Sequence, residues 1–131
     1  MEYRKRRVII LSTNDAVKRG SVNLILLTLL MEEDKYGYQI QKELAERSNG
    51  RYTLLQTSLY PILYRLLDQG LISEHPVQMP HKRVRNYYHI TDKGIAYQKQ
   101  ALSDYLNSIS GIMQILGHKI VPLKEEDKNT D

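Results

Sequence analysis

The chain has 131 residues, room for one compact domain and too few for two of ordinary size. At 41% hydrophobic and 26% charged it has the balance of a globular protein, and the absence of cysteine excludes disulfide frameworks, thiolate zinc sites, iron–sulfur clusters and thiol nucleophiles. The net charge of +4 is concentrated in residues 1–20 (six Lys and Arg against two acids) and 51–95 (six against three), which suggests a polyanionic partner.

In chain order, Arg4-Lys5-Arg6-Arg7 followed by Val8-Ile9-Ile10-Leu11 has the charge of a signal peptide but only four apolar residues. The apolar stretch from Ser21 to Met31 is too short for a bilayer core of roughly 30 Å, so a cytoplasmic protein is expected. Asn14 and Asp15 offer N-caps for a first helix running to about Met31. Its apolar residues, Val22 to Leu30, lie on nearly every side, as in a central helix. Asp34 offers the cap of a second helix from about Tyr36 to Arg47, with Tyr36, Ile40 and Leu44 as its inner stripe. Ser48-Asn49-Gly50 stops it, because Asn and Gly tolerate the left-handed conformation of a helix end.

Thr53-Leu54-Leu55-Gln56 matches a capping box, which predicts a third helix from there to about Gln69. Leu59, Ile62, Leu63, Leu66 and Leu67 form its inner face, and Pro61 falls within the first two turns, where a missing N–H is best tolerated. Leu71–Val77 and Val84–Ile90 read as two strands joined by the basic loop Gln78–Arg83, with Val84, Asn86, Tyr88 and Ile90 alternating against Arg85, Tyr87 and His89. A last helix starts at the N-cap Thr91 and runs to about Gly117–Lys119. Along it Leu102, Leu106, Ile109, Met113, Leu116 and Ile120 step by 4, 3, 4, 3, 4, a heptad seam that wants a partner helix. The fold class expected is mainly α with a small β-hairpin (α+β).

Signals of catalysis are nearly absent, so no enzyme is expected. His75, His81, His89 and His118 show no metal-binding spacing, Gly37, Gly50, Gly70 and Gly94 are scattered rather than gathered in a phosphate loop, and no serine sits in a nucleophile elbow. No metal or cofactor is expected. Three helices followed by a hairpin suit a winged helix-turn-helix, whose third helix enters the major groove. Outside its Leu/Ile stripe that helix presents Gln56, Thr57, Ser58, Tyr60, Tyr64 and Arg65. Gln pairs with adenine, Arg with guanine or phosphate, and short hydroxyls with either base or phosphate. Lys82, Arg83 and Arg85 make a basic wing suited to a DNA backbone or minor groove. A solvated helix face and a hairpin charged for solubility are the alternatives. Ten tyrosines with no Phe or Trp suit amphipathic surfaces better than a dry core.

These residues resemble the PadR-like transcriptional regulators, named for a phenolic-acid response repressor. The resemblance rests on Tyr36-Gly37-Tyr38, on Ser58-Leu59-Tyr60-Pro61-Ile62-Leu63-Tyr64-Arg65-Leu66, on Gln69-Gly70-Leu71-Ile72, and on Arg85-Asn86-Tyr87-Tyr88-His89-Ile90-Thr91-Asp92-Lys93-Gly94. It spans about residues 20–118 and implies a bacterial or phage-like DNA-binding homodimer, with Pro61 beside the DNA-reading residues and the C-terminal helix packed on its mate. The chain departs from the family pattern in three places. Met79-Pro80-His81 replaces the usual wing glycines, Leu55 stands where a polar helix cap is common, and the C-terminal region is one short helix, as in the small-domain branch. Some members of that branch bind flat aromatic drugs between tryptophans at the dimer centre. This chain has no Trp, which leaves Tyr105 as the candidate for a small aromatic effector, or as seam packing beside Leu102 and Leu106.

The expected layout is a basic N-terminal extension (1–13), a winged helix-turn-helix DNA-binding domain (14–90), a C-terminal dimerisation helix (91–120) and a flexible tail (121–131). The expected function is a homodimeric repressor that binds double-stranded DNA at a pseudo-palindromic operator. The alternative is a winged-helix protein-interaction module without DNA binding.

Overall fold

The computed structural model describes residues 13–119. The segment before Thr13, the seam position Ile120 and the tail 121–131 lie outside the described residues. The elements are α1 (Thr13–Glu32), β1 (Lys35–Tyr36), α2 (Gly37–Arg47), α3 (Gln56–Asp68), β2 (Ile72–Gln78), β3 (Val84–Ile90) and α4 (Asp92–Leu116), with a 3-10 turn at Pro80–Lys82. The chain is mainly α with one small antiparallel sheet. No described helix is long and apolar enough to cross a membrane.

Helix α1 is central, as its all-round apolar sequence predicts. Val22, Leu26, Leu27, Leu29 and Leu30 are buried, and they meet Ile40 and Leu44 of α2, Leu59, Leu63 and Leu66 of α3, and Leu71, Ile72, Tyr88 and Ile90 of the sheet region. Helix α1 begins at Thr13, just ahead of Asn14 and Asp15. The stop after α2 works as expected, with Asn49 at φ 52 and Gly50 at φ 77. Ser48 reinforces it: its hydroxyl donates to the Leu44 carbonyl at 2.7 Å and accepts the Tyr52 N–H at 2.8 Å.

Two predicted caps are not formed. Helix α3 starts after Leu55, whose side chain makes no cap bond, so the Thr53–Gln56 capping box is absent. Tyr52 and Leu54 pack against the core, and this anchoring keeps the chain out of helix until residue 56. Asp34 does not cap α2; the residue before that helix is Tyr36, again without a side-chain bond. Lys35 and Tyr36 instead form a third strand, giving the order β1-β3-β2 with Lys35 opposite Tyr88 and Tyr36 opposite Tyr87. Asp34 is drawn to the sheet, where Oδ1 lies 2.7 Å from His89 Nδ1.

Strands β2 and β3 pair from Ile72–Ile90 at the base to Gln78–Val84 at the tip. Of the face formed by Val84, Asn86, Tyr88 and Ile90, only the base is covered. Tyr88 and Ile90 are buried, whereas Val84 and Asn86 are exposed, because the outer half of the hairpin extends past the helices.

The third strand also buries a charge. Lys35 is 1% exposed, and its ammonium donates to Glu33 and Glu43 at 3.3 Å each; a 2.9 Å approach to the second Glu43 oxygen is electrostatic, outside hydrogen-bonding geometry. Burial pulls the Lys35 pKa down, but its hydrogen bonds to Glu43 and Glu33, with their negative charges, outweigh it and leave the group above its ordinary value. Tyr88 is shifted the same way. Burial, with smaller contributions from Glu74, Tyr60 and Tyr64, pushes its phenol up from 10 to about 12.

Both folded values are raised, so both contributions are complete below the ordinary pKa and fade as pH rises through the folded one. Stability is therefore expected to fall between pH 10 and about 12. Tyr88→Phe should remove about 2 kcal/mol of that fall and leave the part due to Lys35. Urea unfolding at pH 9, 10.5 and 11.5 measures it, and an unchanged alkaline slope in the variant would refute the assignment.

Candidate nucleic-acid interface

Helix α3 is held by one face and free on the other. Leu59, Leu63 and Leu66 are fully buried, and opposite them Thr57, Ser58, Pro61, Tyr64 and Arg65 are exposed; Gln56, one turn before Leu59, is exposed at the helix start. From Thr57 to Arg65 the exposed set follows the helical spacing of one stripe. Asp68 ends the stripe with a negative charge, so its anion-compatible part is the N-terminal two thirds. The positive end of the helix dipole lies there too, at Gln56.

Tyr60 differs from the other predicted reading residues. It is half-buried and packs against the core. Its hydroxyl is so close to Gly37 that a Cβ added there would lie 2.7 Å from it. Tyr60 therefore spaces α3 from the start of α2, and Gly37 allows that approach. Its ring lies 6.5 Å from that of Tyr64, tilted by 35°, so it also supports the exposed tyrosine.

The wing is the β2–β3 hairpin. Its tip is closed by the Met79 N–H donating to the Arg83 carbonyl at 2.7 Å. Between them His81 (φ 64) and Lys82 (φ 60) take up left-handed conformations, so the tip turns without glycines at a cost of roughly 1 kcal/mol or more for each residue. Lys82 and Arg83 are exposed at this tip. Arg85 lies just below the tip, opposite Val77, with its guanidinium carbon 4.3 Å from the centre of the Tyr36 ring.

Beneath Arg85 an aromatic row crosses the sheet. Tyr36 meets Tyr87 edge-on at 5.4 Å, and Tyr87 stacks on His75 at 6.0 Å. Asp34 adds a polar tie, contacting His89 at 2.7 Å and His75 at 3.7 Å. The wing root is thus fixed to the α1–α2 connection through residues that strand alternation alone does not identify. The signal for it was Lys35-Tyr36, too short a run to read as a strand from sequence. Among the described residues no group of three or more His, Asp or Glu side chains is arranged to hold a metal.

Helix α4 docks its first half and leaves much of its second half uncovered. Gln98 is buried and donates to Thr28 of α1 at 3.1 Å. Of the predicted seam, Leu102, Leu106 and Leu116 are exposed, while Tyr105, Ile109 and Met113 are half-buried. Ile112 and Ile115 are also exposed, the latter at 86%, and the heptad count omitted both. Beside Tyr105 a cavity of about 110 Å³ opens between α1 and α4, lined by Gly20, Asn23, Leu24, Tyr97 and Ala101.

The same combination of elements recurs in known proteins. A solved transcriptional regulator from Clostridium thermocellum is 34% identical, with a TM-score of 0.70 over 76% of this chain and 96% of that one. A PadR family transcriptional regulator from Eggerthella lenta is 27% identical, with a TM-score of 0.73 over 86% of this chain and 96% of that one. A protein from Lysinibacillus sphaericus, itself uncharacterized, is 31% identical over 87 residues, 66% of this chain and 80% of that protein. The sequence profile of the PadR-like transcriptional regulator family matches residues 26–100, from the core of α1 through the wing into α4. With the three-helix core, the winged sheet and this match in agreement, the chain belongs to the PadR-like family of transcriptional regulators, a regulatory family and not an enzymatic one.

Proposed function

We propose that the protein acts as a homodimeric repressor that binds a pseudo-palindromic DNA operator. The observation that carries this reading is the exposed stripe Thr57, Ser58, Pro61, Tyr64 and Arg65, with Gln56 exposed at the helix start, on a helix whose other face is locked into the core. A polar face held this rigidly is suited to base edges and phosphates in a major groove. Lys82 and Arg83 at the wing tip add phosphate contacts, and Arg85 supports them from β3 just below the tip. The exposed Leu102, Leu106 and Leu116 supply an apolar seam for a second copy, and Tyr105, Ile109 and Met113 flank it. Two such copies related by a two-fold axis would read half-sites about 34–36 Å apart, one turn of DNA. Repression then follows from occlusion of the promoter.

Relief by a small aromatic effector at Tyr105 needs the second copy to complete the pocket. The cavity in one chain is about 110 Å³, well below the roughly 300 Å³ of a usual small-molecule site.

Fluorescence anisotropy with duplex DNA from upstream of the protein's own gene, beside a scrambled duplex, tests the reading. Preferential binding to the first duplex is expected, with affinity falling by roughly 10³ or more between 50 and 200 mM salt. No binding to either duplex at low salt would refute DNA recognition and favour a protein-interaction module.

A further inference from the structure

We infer that Leu55 is a specificity-determining residue that packs on the C5-methyl group of a thymine in the operator. The inference rests on the proposal that α3 reads DNA, and it assigns a base contact to a residue outside the polar stripe.

Leu55 is 70% exposed, the highest value among the exposed large hydrophobic residues described outside α4. Its neighbour Leu54 packs against the core, so this leucine pair is divided, one side chain in and one out. Leu55 occupies the residue before α3, in extended conformation (φ −74, ψ 155), and its side chain makes no cap bond. A Ser, Thr, Asp or Asn there would accept a backbone N–H and hold the helix end more firmly. The fold thus gains neither core burial nor capping from the leucine.

Its position does suit an apolar contact with a base. The N-terminal residues of a reading helix are the ones that reach base edges, and Leu55 directly precedes Gln56, Thr57 and Ser58, all exposed. The major groove offers one apolar group, the thymine methyl, and apolar side chains discriminate it by contact. Gln56 beside it is the residue type that pairs with adenine. Leu55 and Gln56 together therefore match an A·T-containing step, with the methyl read by one and the adenine edge by the other.

The test is selection of binding sites by the full-length protein from a duplex pool with a randomised central segment, run in parallel with Leu55→Ser and Leu55→Ala. Helical circular dichroism and sedimentation confirm that both variants keep their fold and assembly; Ser also restores a capping hydroxyl. Each selected thymine of the half-site is then replaced in turn by deoxyuridine, which lacks only the methyl group.

At one position the parent should lose about fourfold in affinity, the equivalent of one buried methyl, and the variants should lose nothing. Selection of thymine at that position should also disappear in the variants. Deoxyuridine penalties equal in parent and variants, or absent from the parent, would overturn the role of Leu55 while leaving DNA reading intact. Failure of the parent to select any sequence would overturn DNA reading, and this inference with it.

Discussion

Gly94→Ala is expected to destabilise the protein by about 3 kcal/mol, although the substitution lies in a helix, where alanine is ordinarily the better residue. A Cβ at Gly94 would collide with the backbone carbonyl oxygen of Leu71 and lie 2.7 Å from Cγ1 of Ile90. Neither obstacle can withdraw. Leu71 and Ile90 are both buried, and the two segments are tied together around this point. Thr91 donates its hydroxyl to the Gly70 carbonyl at 2.7 Å and its N–H to the Leu71 carbonyl at 3.1 Å. Its hydroxyl also accepts the Gly94 N–H at 3.1 Å, which caps α4. Lys93 adds a bond to the Gln69 carbonyl at 2.8 Å. The Thr-x-x-Gly run is therefore a joint: threonine fastens α4 to the end of α3, and glycine lets the two backbones meet. Gly20→Ala is the control. It also lies inside a helix, but among the described residues nothing would stand within 4 Å of the added Cβ, and a gain of roughly 0.5–1 kcal/mol is expected. Urea unfolding of both variants decides the matter; a Gly94 variant as stable as the parent would show that the joint has slack.

Leu106→Asp is expected to convert the proposed dimer to a monomer, raising its dissociation constant by about 100-fold or more. Leu106 is 54% exposed in the single chain, so a carboxylate there leaves the fold intact and acts only where a second copy would cover it. This position separates assembly from folding better than Ile109, which is half-buried within its own chain. The measurement is sedimentation velocity over a concentration series, with circular dichroism to confirm an unchanged helix content. A variant that stays dimeric at every concentration would place the interface away from the α4 seam. Ile112 and Ile115 would then be the next residues to change, since both are exposed on the same helix.

Much of the fold was legible because hydrophobic periodicity and helix stops agree. Leu59, Leu63 and Leu66 define the buried side of α3, Asn49 and Gly50 end α2, and Thr91 caps α4, all as local chemistry dictates. Misreadings arose where a distant contact overrode a local preference. Thr53 and Asp34 are good capping residues, yet packing of Tyr52 and Leu54 decides the start of α3, and pairing of Lys35 and Tyr36 with β3 takes Asp34 to His89. A two-residue strand carries no periodicity, and its inward residue is a lysine, so no pattern of apolar residues could reveal it. The candidate site was legible in residue type and largely in exposure, but not in the partners of Tyr60 and Arg85. Gln56, Thr57, Ser58, Tyr64 and Arg65 face outward as expected, whereas Tyr60 turns toward Gly37 and Arg85 lies over Tyr36. Side-chain partners outside an element decide such cases.

The central claim, that α3 is the reading element, is tested most directly by anisotropy titration of Tyr64→Ala and Arg65→Ala against the duplex bound by the parent protein. Both side chains are exposed, so both variants should keep the fold and the proposed dimer. Each is expected to bind the operator about tenfold more weakly or worse, the loss typical of one base or phosphate contact at a recognition helix. Binding by both variants as tight as the parent's would contradict the account and move the reading surface away from α3.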